Sequence, residues 1–171
     1  MHLETERLLI TDLRPDMAQA ICENSQDEDT RRFVPDEVFE TAEEAAEVIN
    51  FLISQYGTED GPLLHPVLKK SGENIGYVQL CPIAEGWEIG YHVAKQYTGN
   101  GYATEAVAAF LPVMAKKKGI SSVYGICLKE NIASEKVMKK CGFRNVFTSV
   151  GLYQGEDRMI VKNIWEASDE R

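Results

Sequence analysis

The spacing of apolar residues changes several times along this chain, and each change marks an element. Arg7–Leu13 (RLLITDL) is apolar and β-branched and ends just short of Pro15, so it predicts a first strand. Met17, Ala20 and Ile21 then recur at helical spacing within Asp16–Asn24, with Asp16 placed to cap that helix. Ser25–Glu40 mixes charge, Pro35 and the isolated aromatics Phe33 and Phe39, which predicts an irregular or partly helical connection. A clear helix follows. Thr41 and Glu44 form a capping box, and Ala45, Val48, Ile49, Leu52 and Ile53 line one face.

The turn cluster Gly57–Pro62 opens a run of strands at Leu63–Lys69, Asn74–Pro82 and Trp87–Val93. Short turns at Ser71–Gly72 and Glu85–Gly86 favour an antiparallel meander. A loop with two glycines, Gln96–Gly101, feeds a helix at about Ala103–Lys118, whose residues Val107, Phe110, Leu111 and Met114 form a core stripe. Gly119 ends it. A strand at Ser122–Leu128, a short helix at Asn131–Cys141 and strands at Phe143–Val150 and about Arg158–Trp165 complete the chain. The expected order is β-α-α-β-β-β-α-β-α-β-β. This is one α/β (α+β) domain over 1–171, with about seven mostly antiparallel strands and about four helices.

Composition narrows the class. A chain of 171 residues with 44% hydrophobic and 26% charged residues has the material for a packed core, which excludes disorder. Eighteen Lys and Arg against 27 Asp and Glu give a net charge of −9. That balance argues against direct nucleic-acid binding and fits either plain solubility or a cationic partner. Cys22, Cys81, Cys127 and Cys141 form no CxxC pair, and His2, His65 and His92 have no metal-ligand spacing. No apolar run is long enough to span a membrane, and MHLETERLLI lacks the apolar stretch of a signal peptide. A cytoplasmic, metal-free protein with reduced thiols is expected, as a monomer or homodimer.

Gln96-Tyr97-Thr98-Gly99-Asn100-Gly101-Tyr102-Ala103 is the most informative stretch, because its glycines fall where a helix begins. Glycine permits positive φ, and the first-turn N–H groups of a helix lack partners, so the loop suits a pyrophosphate. It is not a P-loop, which needs Lys and Ser/Thr after the last glycine, nor a dinucleotide GxGxxG, since Thr104 stands at the third position. A plain strand-to-helix turn is the other reading. Along Trp87–Val93, period-2 alternation puts Glu88, Gly90 and His92 on the face opposite Trp87, Ile89, Tyr91 and Val93. The glycine leaves room for a ligand between two ionisable groups. Glu88 is then a candidate general base and His92 a second, unless they are an ion-paired strand glutamate and a packing histidine. Asn131 stands where it could cap the helix after it.

Gln96-x-x-Gly99-x-Gly101 resembles the Q/R-x-x-G-x-G/A element of the GNAT superfamily of N-acetyltransferases. Leu3-Glu4-Thr5-Glu6-Arg7-Leu8, Glu88-Ile89-Gly90-Tyr91 and Asn131-x-x-Ser134 with Cys141-Gly142-Phe143 resemble, in order, segments of its RimJ/RimL-type branch of ribosomal-protein N-terminal acetyltransferases. The likeness runs from about Leu3 to Trp165. It implies a GNAT-like fold and acetyl-CoA as cosubstrate, with the pyrophosphate held by Gln96 to Ala103. The backbone of Tyr91, His92 and Val93, where the strand splays from its neighbour, would bind the pantetheine and acetyl carbonyl. The resemblance also has Asn131 bonding the cofactor, Ser134 near the thioester sulfur, and Glu88 as the proposed base. Many members carry a tyrosine four residues after that serine as the acid for the thiolate; here it is Met138, which leaves Ser134 or water.

The implied activity is acetyl transfer to a primary amine by direct attack in a ternary complex; the alternatives are a non-catalytic CoA-binding module and a nucleotide-binding domain. The acidic segment Asp27–Glu44 suggests a basic acceptor, and ribosomal protein N-termini, polyamines and aminoglycosides all fit.

Overall fold

Alternation along the second strand sorts the layers: Leu8 and Ile10 enter one core, while Leu9 packs against another. The structure, a computed structural model, describes residues 1–168; the last three residues of the expected domain lie outside the described residues. Its eight strands are β1 (His2–Glu4), β2 (Leu8–Thr11), β3 (Leu63–Lys69), β4 (Asn74–Ile83), β5 (Gly86–Val93), β6 (Ser122–Leu128), β7 (Arg144–Tyr153) and β8 (Glu156–Glu166). They form one sheet in the order β1-β2-β3-β4-β5-β6-β8-β7. The helices are α1 (Ala18–Ser25), α2 (Glu28–Phe33), α3 (Ala42–Gln55), α4 (Tyr102–Lys118) and α5 (Ile132–Lys140).

The mixed, mostly antiparallel sheet is the expected one, with an extra strand and an extra helix. The added strand is β1. Thr5 accepts from Leu8 N through its hydroxyl at 2.9 Å and donates its own N–H to Leu8 O at 3.0 Å, so His2–Glu4 folds back onto β2. The added helix is α2, started by Asp27, whose carboxylate accepts from Thr30 N at 2.9 Å. Asp16 does not cap: it lies in a 3-10 turn, Pro15–Met17, ahead of α1, and pairs with Arg14. Thr41 caps α3 as its position predicts, but the Glu44 carboxylate reaches back to Glu40 N rather than to Thr41 N.

On one face α4 lays Val107, Phe110, Leu111 and Met114 onto Ile10, Val67, Val78 and Leu80, all almost fully buried. Burying each such side chain contributes roughly 1.5–3 kcal/mol. On the other face α1 and α3 bring Met17, Cys22, Ala45, Ile49 and Leu52 against Leu13 and Leu68. Pro112 sits on the exposed side of α4, and Gly119, at φ +67°, closes that helix in the left-handed conformation. Among the described residues no helix is long and apolar enough to cross a membrane.

Every neighbouring pair of strands is antiparallel except β5 and β6, which run parallel and match at Glu88↔Tyr124. Past that point β5 follows β4 as far as Val93↔Gly76, while β6 follows β8 to Leu128↔Ile160. The sheet therefore opens into two halves. Gly125, next along β6, is the seat of α5: a Cβ there would stand 2.4 Å from Met138 Sδ and 3.3 Å from the Phe143 ring. Met138 is fully buried and has nowhere to retreat. Gly125→Ala is expected to cost about 1–3 kcal/mol in urea unfolding, against less than about 0.5 kcal/mol for Gly57→Ala, where a Cβ meets nothing within 4 Å.

Candidate active site

The opening between β5 and β6 continues into a cavity of about 680 Å³ that runs from the start of α4 to the ends of β5 and β7. At one end lies the glycine loop. Gly99 and Gly101 stand at φ +80° and +79°, where any other residue is strained, and no side chain caps α4. The unpartnered first-turn N–H groups and the positive end of the helix dipole are thus presented beside the cavity, which Gly101, Tyr102, Ala103 and Thr104 line. Tyr97, Thr98 and Gly99 line it too.

Two residues of the expected set stand apart. Gln96 is exposed outside the cavity, and Asn100 turns its amide onto the loop carbonyls of Tyr97 and Thr98, at 3.0 and 3.2 Å. Asn100 shapes the loop rather than facing what the loop would hold. Arg7, which sequence reasoning did not single out, braces the loop from behind. Its guanidinium donates to Asn100 O at 2.8 Å and to Glu105 at 2.6 Å, and lies 4.6 Å from the Tyr102 ring centroid. The pair also neutralises Glu105, whose charge would otherwise oppose an anion at the same helix start.

Mid-cavity, Tyr91, His92 and Val93 lie along the free side of β5, facing Asn131 and Ser134. The Tyr91 hydroxyl bridges the opening: it donates to Ser134 O at 2.9 Å and shares a hydrogen bond with Ser134 Oγ at 2.7 Å. Burial raises the Tyr91 phenol well above its ordinary pKa and keeps it protonated. Asn131 accepts from Ser134 N at 3.2 Å and so caps α5 while lining the cavity. Met138 offers no proton, and its sulfur sits 3.5 Å from Asn163 Nδ2. His92 is committed elsewhere. Its Nε2 lies 2.8 Å from Thr30 Oγ1 and 3.7 Å from Asp27, its ring stacks on Tyr77, and burial holds its pKa below the usual value. It fastens α2 to β5.

At the far end stands Glu88, whose carboxyl is pushed up to about 7 by burial, with Lys162 pulling weakly the other way. Glu37 also reaches about 7, through burial and the neighbouring charges of Asp36 and Glu88, against one hydrogen bond from Gln79 Nε2 at 3.0 Å. The space over Gly90 is not left to a ligand as expected: Gln79 fills it, and a Cβ on Gly90 would come within 2.6 Å of Gln79 Nε2. Gln79↔Gly90 is a cross-strand pair of the predicted hairpin, so this contact was within reach of the sequence. Glu37 was not, because it comes from the irregular segment.

That segment covers the cavity and is tied down along its length. Asp29 pairs with Lys95, Arg32 with Glu130, Tyr153 donates to Phe33 O at 2.8 Å and Gln154 to Asp36 at 2.6 Å. Of its acids, Asp27, Asp29, Asp36 and Glu37 line the cavity, whereas Glu40 pairs with Arg31 outside it. Burial raises the thiols of Cys81 to about 12 and of Cys127 and Cys141 to about 11, so none is a ready thiolate. Among the described residues no group of three metal-ligating side chains comes together.

A carboxyl raised from 4.5 to about 7 favours the fold while protonated; its cost grows as pH climbs through 7. Glu88→Gln should therefore raise the melting temperature at pH 8, by the equivalent of roughly 1–3 kcal/mol, and change it little at pH 5. Thermal melts of both proteins at the two pH values measure this.

Residues 7–144 match the Acetyltransferase (GNAT) domain family. The chain is 31% identical over 147 residues to YnaD of Bacillus subtilis (strain 168), an uncharacterized N-acetyltransferase, covering 84% of this chain and 83% of that one. Among solved structures, an acetyltransferase (GNAT family) from Bacillus anthracis superposes with a TM-score of 0.82 at 25% identity, over 97% of this chain and 98% of the other. RimL, a ribosomal L7/L12 alpha-N-protein acetyltransferase solved with coenzyme A, shares the fold at a TM-score of 0.83 and 15% identity, over 98% of each chain.

Proposed function

This chain belongs to the GNAT acetyltransferase family, and on that premise we propose that it moves the acetyl group of acetyl-CoA onto a primary amine, with both substrates held together in the cavity between β5 and β6. The observation that carries this reading is the continuity of one cavity. It joins an anion-binding loop at Gly99–Gly101 to a carboxyl near neutrality at Glu88. The residues present suit the cosubstrate. Thr98, Gly99, Gly101, Tyr102 and Ala103 would hold its pyrophosphate, the backbone of Tyr91 to Val93 its pantetheine arm, and Asn131 and Ser134 the region near its sulfur. Acetyl-CoA supplies an acetyl group already activated as a thioester.

The acceptor amine arrives as an ammonium at neutral pH and must lose a proton before its nitrogen can attack. Glu88, buried and raised to about 7, is suited to take it. A backbone N–H on the free side of β5 suits the developing oxyanion. The Ser134 hydroxyl, turning its proton from Tyr91 to the sulfur, or a water is the donor for the leaving thiolate in place of the missing tyrosine. Raised thiol pKa values argue against an acyl-cysteine route. The acceptor is a protein N-terminal α-amine or a small-molecule amine; the first is the acceptor named for RimL.

Thiol release from acetyl-CoA across a panel of amines and N-terminal peptides tests this, alongside calorimetric CoA binding. CoA binds wild-type protein, and Gly101→Ala weakens it about 10-fold or more, because alanine resists φ +79°. Release that does not depend on amine overturns acetyl transfer in favour of thioester hydrolysis, and no release with any amine while CoA still binds leaves a CoA-binding module.

Because the base acts ionised, kcat/KM should rise with pH through about 7. Glu88→Gln should lower kcat about 100-fold or more and abolish that rise, with CoA affinity unchanged. A pH–rate profile of both proteins decides it.

A further inference from the structure

The cavity holds a second carboxylate that the reaction as described does not use. Glu37 follows Pro35 and Asp36 in the single turn after α2 and faces into the acceptor end of the cavity. Its own turn holds the Glu37 backbone, whose N–H donates to Val34 O at 2.9 Å, and not the carboxylate. Its hydrogen bond comes from across the sheet, from Gln79 of β4, and Gln79 can reach only because its β5 partner is Gly90. A three-residue device, Gly90 then Gln79 then Glu37, thus sets a carboxylate at the same end of the cavity as Glu88. Phe33, Val34 and Leu152 add apolar surface to the cavity lining beside these polar groups.

Acetylation at nitrogen removes two protons. An ammonium must become a neutral amine before attack, and the nitrogen loses a second proton as the amide forms. One of the two is made good at the sulfur, which leaves as a thiol; the other goes to solvent. The electron pair of the new N–C bond comes from nitrogen, and that of the broken C–S bond leaves with sulfur. A single carboxyl has to discharge its first proton before it can accept the second.

Resting on the reading above, we propose that Glu37 is a second acceptor-site carboxylate working beside Glu88, positioned by Gln79 over Gly90, and that the pair admits primary amines on apolar stems while rejecting those with a carboxylate on the adjacent carbon. Both groups lie near half-protonation at neutral pH, so either can receive a proton there. The groups facing Glu37 are Asp36, Gln79, Cys81, Glu88 and Tyr153; the charges among them are negative, and the nearby cation Lys162 is paired with Glu85. An ammonium is attracted into this setting. A free amino acid carries its own carboxylate into it and is repelled, whereas a peptide N-terminus, whose α-carboxyl is an amide, is not.

The test uses phenethylamine, phenylalaninamide and phenylalanine, which share one side chain and differ in the carboxyl. Binding is measured by calorimetry to the full chain saturated with CoA rather than acetyl-CoA, so that no turnover is needed. Wild-type protein is expected to bind phenethylamine and phenylalaninamide about 10-fold or more tighter than phenylalanine. Glu37→Gln, a nearly isosteric change, should weaken the first two about 10-fold and narrow the gap to phenylalanine to about threefold or less, with CoA affinity unchanged.

Gln79→Ala and Gly90→Ala, which remove or displace the same amide, should give like losses. In turnover assays they should raise KM for the amine and, because Glu37 shares the proton traffic with Glu88, lower kcat as well, by less than Glu88→Gln does. Unaltered amine affinity and selectivity in Glu37→Gln overturns the proposal, as does wild-type protein that binds none of the three or does not discriminate among them. Because these readouts use CoA alone, they fail separately from acetyl transfer itself.

Discussion

Strands β5 and β6 are parallel neighbours in a sheet otherwise built from antiparallel pairs, and they match at a single register point, Glu88↔Tyr124. Beyond it each keeps its other neighbour, β4 or β8, and the two diverge. A strand edge without a partner leaves N–H and C=O groups that must be satisfied some other way. Here the divergence is also the cavity, and Tyr91 to Val93 line it. The contact that spans the opening, Tyr91 to Ser134, ties α5 to β5 on its far side. Take that junction away and the anion loop, the serine and Glu88 no longer share one volume.

The two ends of the cavity solve opposite electrostatic problems in a chain with a net charge of −9. At the loop end backbone N–H groups are exposed by left-handed glycines; Lys95, Lys136 and Lys140 also line the cavity, Lys95 paired with Asp29, while the Arg7 guanidinium is spent on Glu105 and on the loop's own carbonyl. At the end that holds Glu88 and Glu37, two carboxyls are desolvated until they stand near neutrality rather than fully charged. The surplus of acid seen in Asp27–Glu44 is therefore less of a charged surface than it looks. Asp27 caps α2, Asp29 and Glu40 are ion-paired, and the cavity-lining acids of this segment outside a cap or ion pair are Asp36 and Glu37.

His92 illustrates how burial and partners redirect a residue whose chemistry looks promising. Its ordinary pKa would make it a good base, but the ring is enclosed between Tyr77 and the Asp27–Thr30 pair and is used to hold the covering segment. Asn100 is a second case. A polar side chain in the middle of an anion loop reads as a ligand, yet it satisfies the two carbonyls that a tight turn would otherwise leave bare.

Local pattern was enough for most of the elements. Period-2 and period-3.6 spacings set β3, β6 and the core stripe of α4, and the glycines before that helix already marked where it begins, because such signals depend only on near neighbours in the chain. β1 was missed because three residues are too few to carry a period, and α2 was expected only as an unbounded, partly helical stretch of Ser25–Glu40 because its six residues are mainly polar and held by a cap and long-range ties. The site was legible in part: Glu88, Ser134 and the loop glycines came from their motifs. Glu37, Gln79 and Arg7 did not, since each acts through a contact about 40 to 100 positions away. What the chain determined by itself is which segments form helices and strands and where its left-handed glycine loop stands. Only the tertiary structure decided which carboxyls are desolvated and where they face, because burial and charge coupling belong to the assembled sheet and not to any segment of it.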